Sequence, residues 1–377
     1  MRATRLLIHL DRLRRNIGAI RNRIGSVPEI CLPVKADAYG HGAPRIAQAA
    51  LEAGVSRLAV AAVSEGAELR REGIEAPILL LSLPAPEELG EAVELGLIPL
   101  VNDREFAGQI ARAARQAGKR LPVHLKIDTG MGRLGCRPNE AVELAAFIAA
   151  QDSLEYAGTA THLAVSDDPA EASRRYTGDQ LTRFRESLEA IRGAGLDPGV
   201  VHAANSGAIL LHPGAWFNMV RPGLLIYGYS PIPPEAPIPK EAPIPVEPVM
   251  ELRTRVACVK RFYRGESVSY GRTWIAPEDT FIAVLPVGYG DGLPRSLSGN
   301  FSVLIRDAFY PLAGRICMDQ CMVNLGPEPA VTRWDEVTVF GGAAPGADAP
   351  ASILNTIPYE ITCNMNKRLP RVYPLHT

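Results

Sequence analysis

The feature that most limits what this chain can fold into is an eightfold alternation between Ile30 and about Gly228. Short apolar runs occur at Ile30–Val34, Leu58–Val63, Pro77–Leu81, Ile98–Val101, Val123–Ile127, Tyr156–Leu163, Val200–Ala203 and Asn218–Val220. Between them lie Ala/Glu/Arg-rich stretches of helical character: Pro44–Ala53, Glu65–Glu72, Pro86–Leu95, Arg104–Ala117, Asn139–Ala150, Ala170–Ala194 and the short Ser206–Leu211. Runs that are apolar along their whole length, rather than at every second residue, belong to strands covered on both faces of a parallel sheet. Eight such units within about 200 residues fit a closed (β/α)8 barrel of the TIM type better than an open doubly wound sheet.

The pattern stops abruptly. Tyr229–Pro248 is dominated by proline and contains the tandem Glu235-Ala-Pro-Ile-Pro-Lys240 and Glu241-Ala-Pro-Ile-Pro-Val246. Proline lacks an amide donor and fixes φ, so such a stretch joins neither a helix nor a ladder and marks a boundary. Beyond it, Glu251–Val259, Ser267–Tyr270, Phe281–Val287, Phe301–Ile305, Gln320–Leu325 and Glu336–Phe340 read as short strands between Gly/Pro/Asp turns. The expected organisation is a barrel over residues 1–235, a linker over 236–248 and a mostly β domain over 249–377. Ahead of the barrel strands, Asp11–Ile24 has apolar residues at helical spacing with arginines between them, as on a solvated helix face.

A formal net charge of −1 offers no broad attraction to nucleic acid or an anionic membrane, which favours a small-molecule partner. The six cysteines are scattered without CxxC or Cys/His spacing, so no metal site is expected and reduced thiols in a cytoplasmic protein are. The apolar run Leu6–Leu10 is interrupted by His9 and followed by Asp11-Arg12, too short and charged for a signal segment, and nothing elsewhere approaches a membrane span.

Chemistry is concentrated at the ends of the apolar runs. Ile30–Val34 ends on Lys35, whose ε-amine is the group an aldehyde cofactor needs for a Schiff base, although a lone lysine there is ordinarily just solvated. Gly130-Met-Gly-Arg133-Leu-Gly135 matches a dinucleotide fingerprint with Glu155 downstream, but Pro138-Asn139 starts the helix too late, and Arg133 suits an anion better. Asn205-Ser206-Gly207 after the seventh run and Arg221-Pro-Gly223-Leu224 after the eighth occupy the two loops where barrels commonly bind phosphate. Lys35, Arg133, His162, Ser206 and Arg221 would then share one rim.

The motifs Lys35-Ala-Asp-Ala-Tyr39-Gly-His-Gly42, Lys126-Ile-Asp-Thr-Gly-Met-Gly-Arg133-Leu-Gly135, His202-Ala-Ala-Asn-Ser206-Gly-Ala208, Val268-Ser-Tyr270-Gly271, Gly288-Tyr-Gly-Asp-Gly292 and Gly314-Arg-Ile-Cys-Met318-Asp319 resemble, in order, those of bacterial alanine racemases. The resemblance spans nearly the whole chain. It implies a homodimeric isomerase carrying pyridoxal 5′-phosphate (PLP) and interconverting L- and D-alanine, which supplies D-alanine for peptidoglycan. Lys35 would hold the cofactor and act as base on one face of Cα, with Tyr270 of the partner subunit as base on the other. By the same resemblance Tyr39, Ser206, Gly223 and Leu224 bind the phosphate, and His162 and Arg221 favour the tyrosine's phenolate. Arg221 also faces the pyridine nitrogen, Arg133 addresses the cofactor's phenolic oxygen and the substrate carboxylate, and the backbone of the partner subunit's Met318 completes the carboxylate site. Lys126 matches a lysine carbamylated in some relatives, and Tyr289, Arg295, Arg315 and Asp167 resemble entrance residues. Lys367 stands where some members carry a tyrosine that reaches the phosphate, and the proline tandem is not part of the signature. A racemase of other amino acids, a non-catalytic PLP-carrying barrel and a PLP-dependent decarboxylase are the alternatives.

Overall fold

In the computed structural model, which describes residues 2–232, 236 and 243–374, the apolar runs form a closed parallel barrel. After an N-terminal strand β1 (Arg5–Ile8), the staves are β2 (Glu29–Pro33), β3 (Arg57–Val60), β4 (Ile78–Leu80), β5 (Leu97–Val101), β6 (Leu121–Lys126), β7 (Leu154–Ala160), β8 (Val200–His202) and β9 (Met219–Val220). They pair in sequence order, and β9 closes on β2 through Met219 opposite Glu29 and Val220 opposite Ile30. Cys31, Ala59, Leu79, Ile98, Leu100, Ala160 and Met219 fill part of the interior, so small and large side chains interdigitate. Helices with one apolar face cover the outside; in Arg104–Gln116 that face is Phe106, Ala107, Ile110, Ala111 and Ala114, and the Asp103 carboxylate caps the helix by accepting from Phe106 N at 2.7 Å. The tandem proline repeat lies largely outside the described residues.

The second unit is built on a six-stranded sheet in the order β16-β15-β18-β10-β1-β19. Its strands beyond β1 are β10 (Met250–Arg255), β15 (Ser302–Ile305), β16 (Ala308–Pro311), β18 (Glu336–Phe340) and β19 (Arg371–Val372). A three-stranded sheet joins β11 (Cys258–Phe262), β14 (Thr280–Leu285) and β17 (Cys321–Gly326), and a small ribbon pairs β12 (Ser267–Val268) with β13 (Trp274–Ile275). This corrects one expectation. The chain up to Arg12 and the short Tyr39–Gly42 segment group with the residues from Glu247 onward, not with the barrel. The reason is a ladder of long sequence separation: Leu6 and Leu7 pair with Leu252 and Glu251 on one side and with Arg371 and Val372 on the other. Among the described residues no helix is long and apolar enough to cross a membrane.

Candidate active site

Lys35 follows β2 and is half-buried. The sequence reads as a turn at this point, whereas the structure has a single left-handed helical turn over Lys35–Gly40, with φ of 51, 55, 53 and 53° at Ala36, Asp37, Ala38 and Tyr39. Left-handed helix costs L-residues about 1–2 kcal/mol each, so something must hold it. Ala38 N donates to Val34 O at 2.8 Å, Ala36 N to Glu65 Oε1 at 2.6 Å, and Ala43 N to Asp37 Oδ1 at 2.9 Å. Glu65 also accepts from Ala61 N and Ala62 N at 2.8 and 3.1 Å, so one carboxylate ties the Lys35 turn to the end of the neighbouring strand.

Around the same rim, positive charge gathers. Arg221, directly after β9, is buried and donates to His202 Nδ1 at 2.5 Å, to Thr161 O at 2.9 Å and Ala203 O at 3.1 Å, and to His162 Nδ1 at 3.3 Å. Burial pulls its guanidinium down to about 10, still above neutral pH. Lys126, the last residue of β6, is also buried, and its amine is pushed down to about 7, first by desolvation and then by Arg221. His162 is held well below the usual imidazole range by desolvation and then by the positive charges of Arg221, Lys126, Arg133 and Lys35.

The nearby acid, Asp128, is turned to its own loop. Its carboxylate accepts from Gly130 N at 3.0 Å, Met131 N at 2.9 Å and Gly132 N at 3.1 Å; desolvation works upward, but these bonds, and then the Lys126 charge, hold its pKa below the usual value. A Cβ on Gly135 would lie 2.6 Å from Asp128 N. The glycines of this loop therefore serve a close approach and a carboxylate, not the pyrophosphate that a dinucleotide fingerprint would bind. Arg133 is exposed on the loop.

Asn205, not Ser206, caps the short Ser206–Leu211 helix, accepting from Ala208 N at 3.0 Å. This leaves the Ser206 hydroxyl to accept from Leu225 N at 3.3 Å, joining the loop after β8 to the buried Gly223-Leu224 loop after β9. Gly207 is required here, since a Cβ would sit 2.7 Å from Asp167 N.

In the β unit, Tyr270 opens a 3-10 turn and is 71% exposed. The turn is held from behind by Ser269, whose hydroxyl donates to Arg315 O at 2.6 Å. Beside Tyr270 runs a groove of about 520 Å³ lined by Phe262, Val268, Ile282, Met322 and Cys317 among others. Met318 is exposed, and its loop is fastened to the Gly288–Gly292 segment: Gly290 N donates to Met318 O at 2.8 Å and Tyr289 N to Cys317 O at 3.0 Å. A Cβ on Gly288 would meet Cys317 O at 2.2 Å. Tyr39 stacks on Tyr359 with centroids 4.7 Å apart. Tyr359 is a residue the motif reading missed, being a lone aromatic at the start of a six-residue helix; Lys367 is exposed in the following loop.

The family model described as "Alanine racemase, N-terminal domain" matches residues 8–231, and "Alanine racemase, C-terminal domain" matches residues 249–373. The chain is 51% identical to the alanine racemase of Treponema denticola, covering 99% of this chain and 98% of the relative. It is 46% identical to that of Treponema pallidum, covering 99% and 100%. Among solved structures it superposes on alanine racemase of Clostridium difficile 630 with a TM-score of 0.92 at 35% identity, covering 99% and 96%. It superposes on that of Bacillus anthracis with bound L-Ala-P with a TM-score of 0.91 at 34% identity, covering 100% and 96%. The barrel, the β unit and these likenesses over the whole length together establish that this chain belongs to the alanine racemase family.

Proposed function

We propose that the chain interconverts L- and D-alanine with PLP by a two-base mechanism in a dimer with shared sites, supplying D-alanine for peptidoglycan. The observation that carries this reading is the burial of Arg221 and Lys126 at the strand ends, with Arg221 Nη2 3.3 Å from His162 Nδ1, while Asp128 is spent on its own loop. Such a rim is built for an anionic group, and an amine at a strand end adjoins it. PLP fits both demands, and when bound it supplies the electron-withdrawing system that makes the substrate Cα proton removable.

The chain's own residues do the rest. Lys35 moves the Cα proton on one face, held in place by the Glu65-braced turn. Tyr270 of the partner subunit moves it on the other, because a proton removed and returned on a single face restores the starting enantiomer. A tyrosine of pKa about 10 needs cations to favour its phenolate, and the rim provides them. Arg221 addresses the cofactor's ring nitrogen; as a cation with donors only it would not accept a hydrogen bond from a protonated ring nitrogen, as a carboxylate does. Ser206, Gly223, Leu224 and Tyr39 hold the phosphate, while Arg133 and the backbone of the partner subunit's Met318 receive the substrate carboxylate. Lys126, whose lowered pKa makes part of it neutral amine at pH 7, has the nucleophilic form that carbon dioxide carbamylates.

Subunit mixing tests the shared site. Lys35→Ala and Tyr270→Phe dimers are each expected to be inactive, and after subunit exchange the mixture should recover about a quarter of the wild-type rate, since half the dimers carry one intact site of two. No recovery after verified exchange would place both bases in one chain.

A further inference from the structure

The barrel interior contains two fully buried histidines, His124 on β6 and His202 on β8. Arginine carries donors only, so Arg221 Nη1, at 2.5 Å, makes His202 Nδ1 an acceptor. The one proton of the neutral ring must then sit on Nε2, which faces His124 Nδ1 at 2.8 Å. His124 accepts in its turn, and its own proton is left on Nε2, buried with no hydrogen-bond partner among the described residues. Desolvation, Arg57 and Arg221 hold His124 down to about 3, so that ring stays neutral.

The chain makes room for this arrangement. The β6–β7 ladder shifts register between Val123 and His124, which sets His124 opposite Gly158. A Cβ on residue 158 would lie 2.6 Å from His124 Cε1 and 2.7 Å from Nδ1. A Cβ there would also meet Val200 O at 2.7 Å, so glycine is needed whatever stands at 124; a leucine at 124 would avoid only the orphaned N–H, and the bond the imidazole accepts offsets that cost.

We infer that His124 is a positioning residue for Arg221: by accepting from His202 Nε2–H it fixes the tautomer that leaves His202 Nδ1 open to the guanidinium. Among the described residues Arg221 is bonded by imidazoles and carbonyls, and no carboxylate pairs with it. A neutral two-histidine relay orients the arginine without cancelling its charge, and an aspartate in the place of His202 would orient and neutralise it together. The inference rests on the proposed role of Arg221 at the cofactor's ring nitrogen.

The test uses holoenzyme labelled with ¹⁵N-histidine, read by long-range ¹H–¹⁵N correlation, together with the cofactor absorbance and the ratio of racemisation to transamination. In the wild type His202 should be protonated on Nε2 only. His124→Leu should shift its proton partly to Nδ1, alter the absorbance and lower kcat about tenfold, the scale of one buried hydrogen bond, with a rise in transamination. His124→Gln, which keeps an acceptor oxygen, should restore the wild-type tautomer and partition. A wild-type His202 protonated on Nδ1 would overturn the relay even if the leucine variant does not fold. An unchanged tautomer and partition in a folded His124→Leu would do the same, because a merely structural role lowers Tm alone. Arg221→Lys separates the two levels: expected tautomers with an unaltered cofactor spectrum would remove the role of Arg221, and the relay's purpose with it.

Discussion

The two units of this chain treat buried charge in opposite ways. In the β unit, buried Asp291 is gripped by Arg2 at 2.6 and 2.9 Å and by Arg368 at 2.7 Å. Glu251 is likewise surrounded, by His9 at 3.0 Å, Arg12 at 2.9 Å and Arg253 at 2.8 Å. In the barrel, Arg221 and Lys126 are buried among carbonyls, imidazoles and other cations, and the nearby carboxylate is engaged by backbone amides. Compensated charge fastens strands; uncompensated charge waits for a ligand. A buried ion pair loses several kcal/mol when one partner goes, whereas an unpaired buried cation is tolerated only where something anionic balances it.

If that contrast is right, the largest effect falls on the barrel's uncompensated side. Lys35→Ala should lower racemisation about 1,000-fold or more, measured by chiral chromatography, and abolish borohydride-stable labelling of the chain. Retained labelling would mean that another rim amine carries the cofactor. Tyr270→Phe should cost about 100-fold or more, with solvent deuterium still exchanging into one enantiomer faster than the other is formed. Equal loss in both directions of exchange would break the two-base reading.

In the β unit the effect should appear in stability. Glu251, held well below its usual range at about 2, has a folded pKa depressed from 4.5. Its contribution is therefore fully present above the unfolded value and is lost as pH falls from there through about 2. The linkage is worth about 3 kcal/mol. Glu251→Gln should flatten the acid limb of a urea-stability profile; an unchanged limb would show the cluster to be decorative.

The smallest effect compares strained backbone in the two units. Trp334, 55% exposed, has φ of 76° in a turn. Trp334→Gly should stabilise by about 0.5–1 kcal/mol with no change in rate. Ala36→Gly should relieve similar strain but slow catalysis by loosening Lys35, and equal rates for both variants would deny the left-handed turn a positioning role.

Much of the barrel was legible because its staves are local and covered on both faces. Ile98–Val101 is observed as Leu97–Val101, and the short helix at Ser206–Leu211 has those very bounds. The run Tyr156–Leu163 reads too long: β7 stops at Ala160, after which the Thr161 hydroxyl is engaged with Thr129 and Ile127 O. The left-handed turn after Lys35 escaped detection because alanine and tyrosine disfavour it, a single aspartate merely tolerates it, and distant bonds enforce it. Tyr359 escaped because a single aromatic has no period.

By itself the sequence determined the element order, the strand-end positions of Lys35, His162 and Arg221, and the motif order that marks the family, since periodicity and turn chemistry act over a few residues. Tertiary structure alone decided that β1 belongs to the second sheet, that Asp128 turns to its own loop, and that His124 meets His202 across 78 positions of chain. Those outcomes depend on partners brought together from far apart, and whether a buried charge is balanced or left open is a property of those partners.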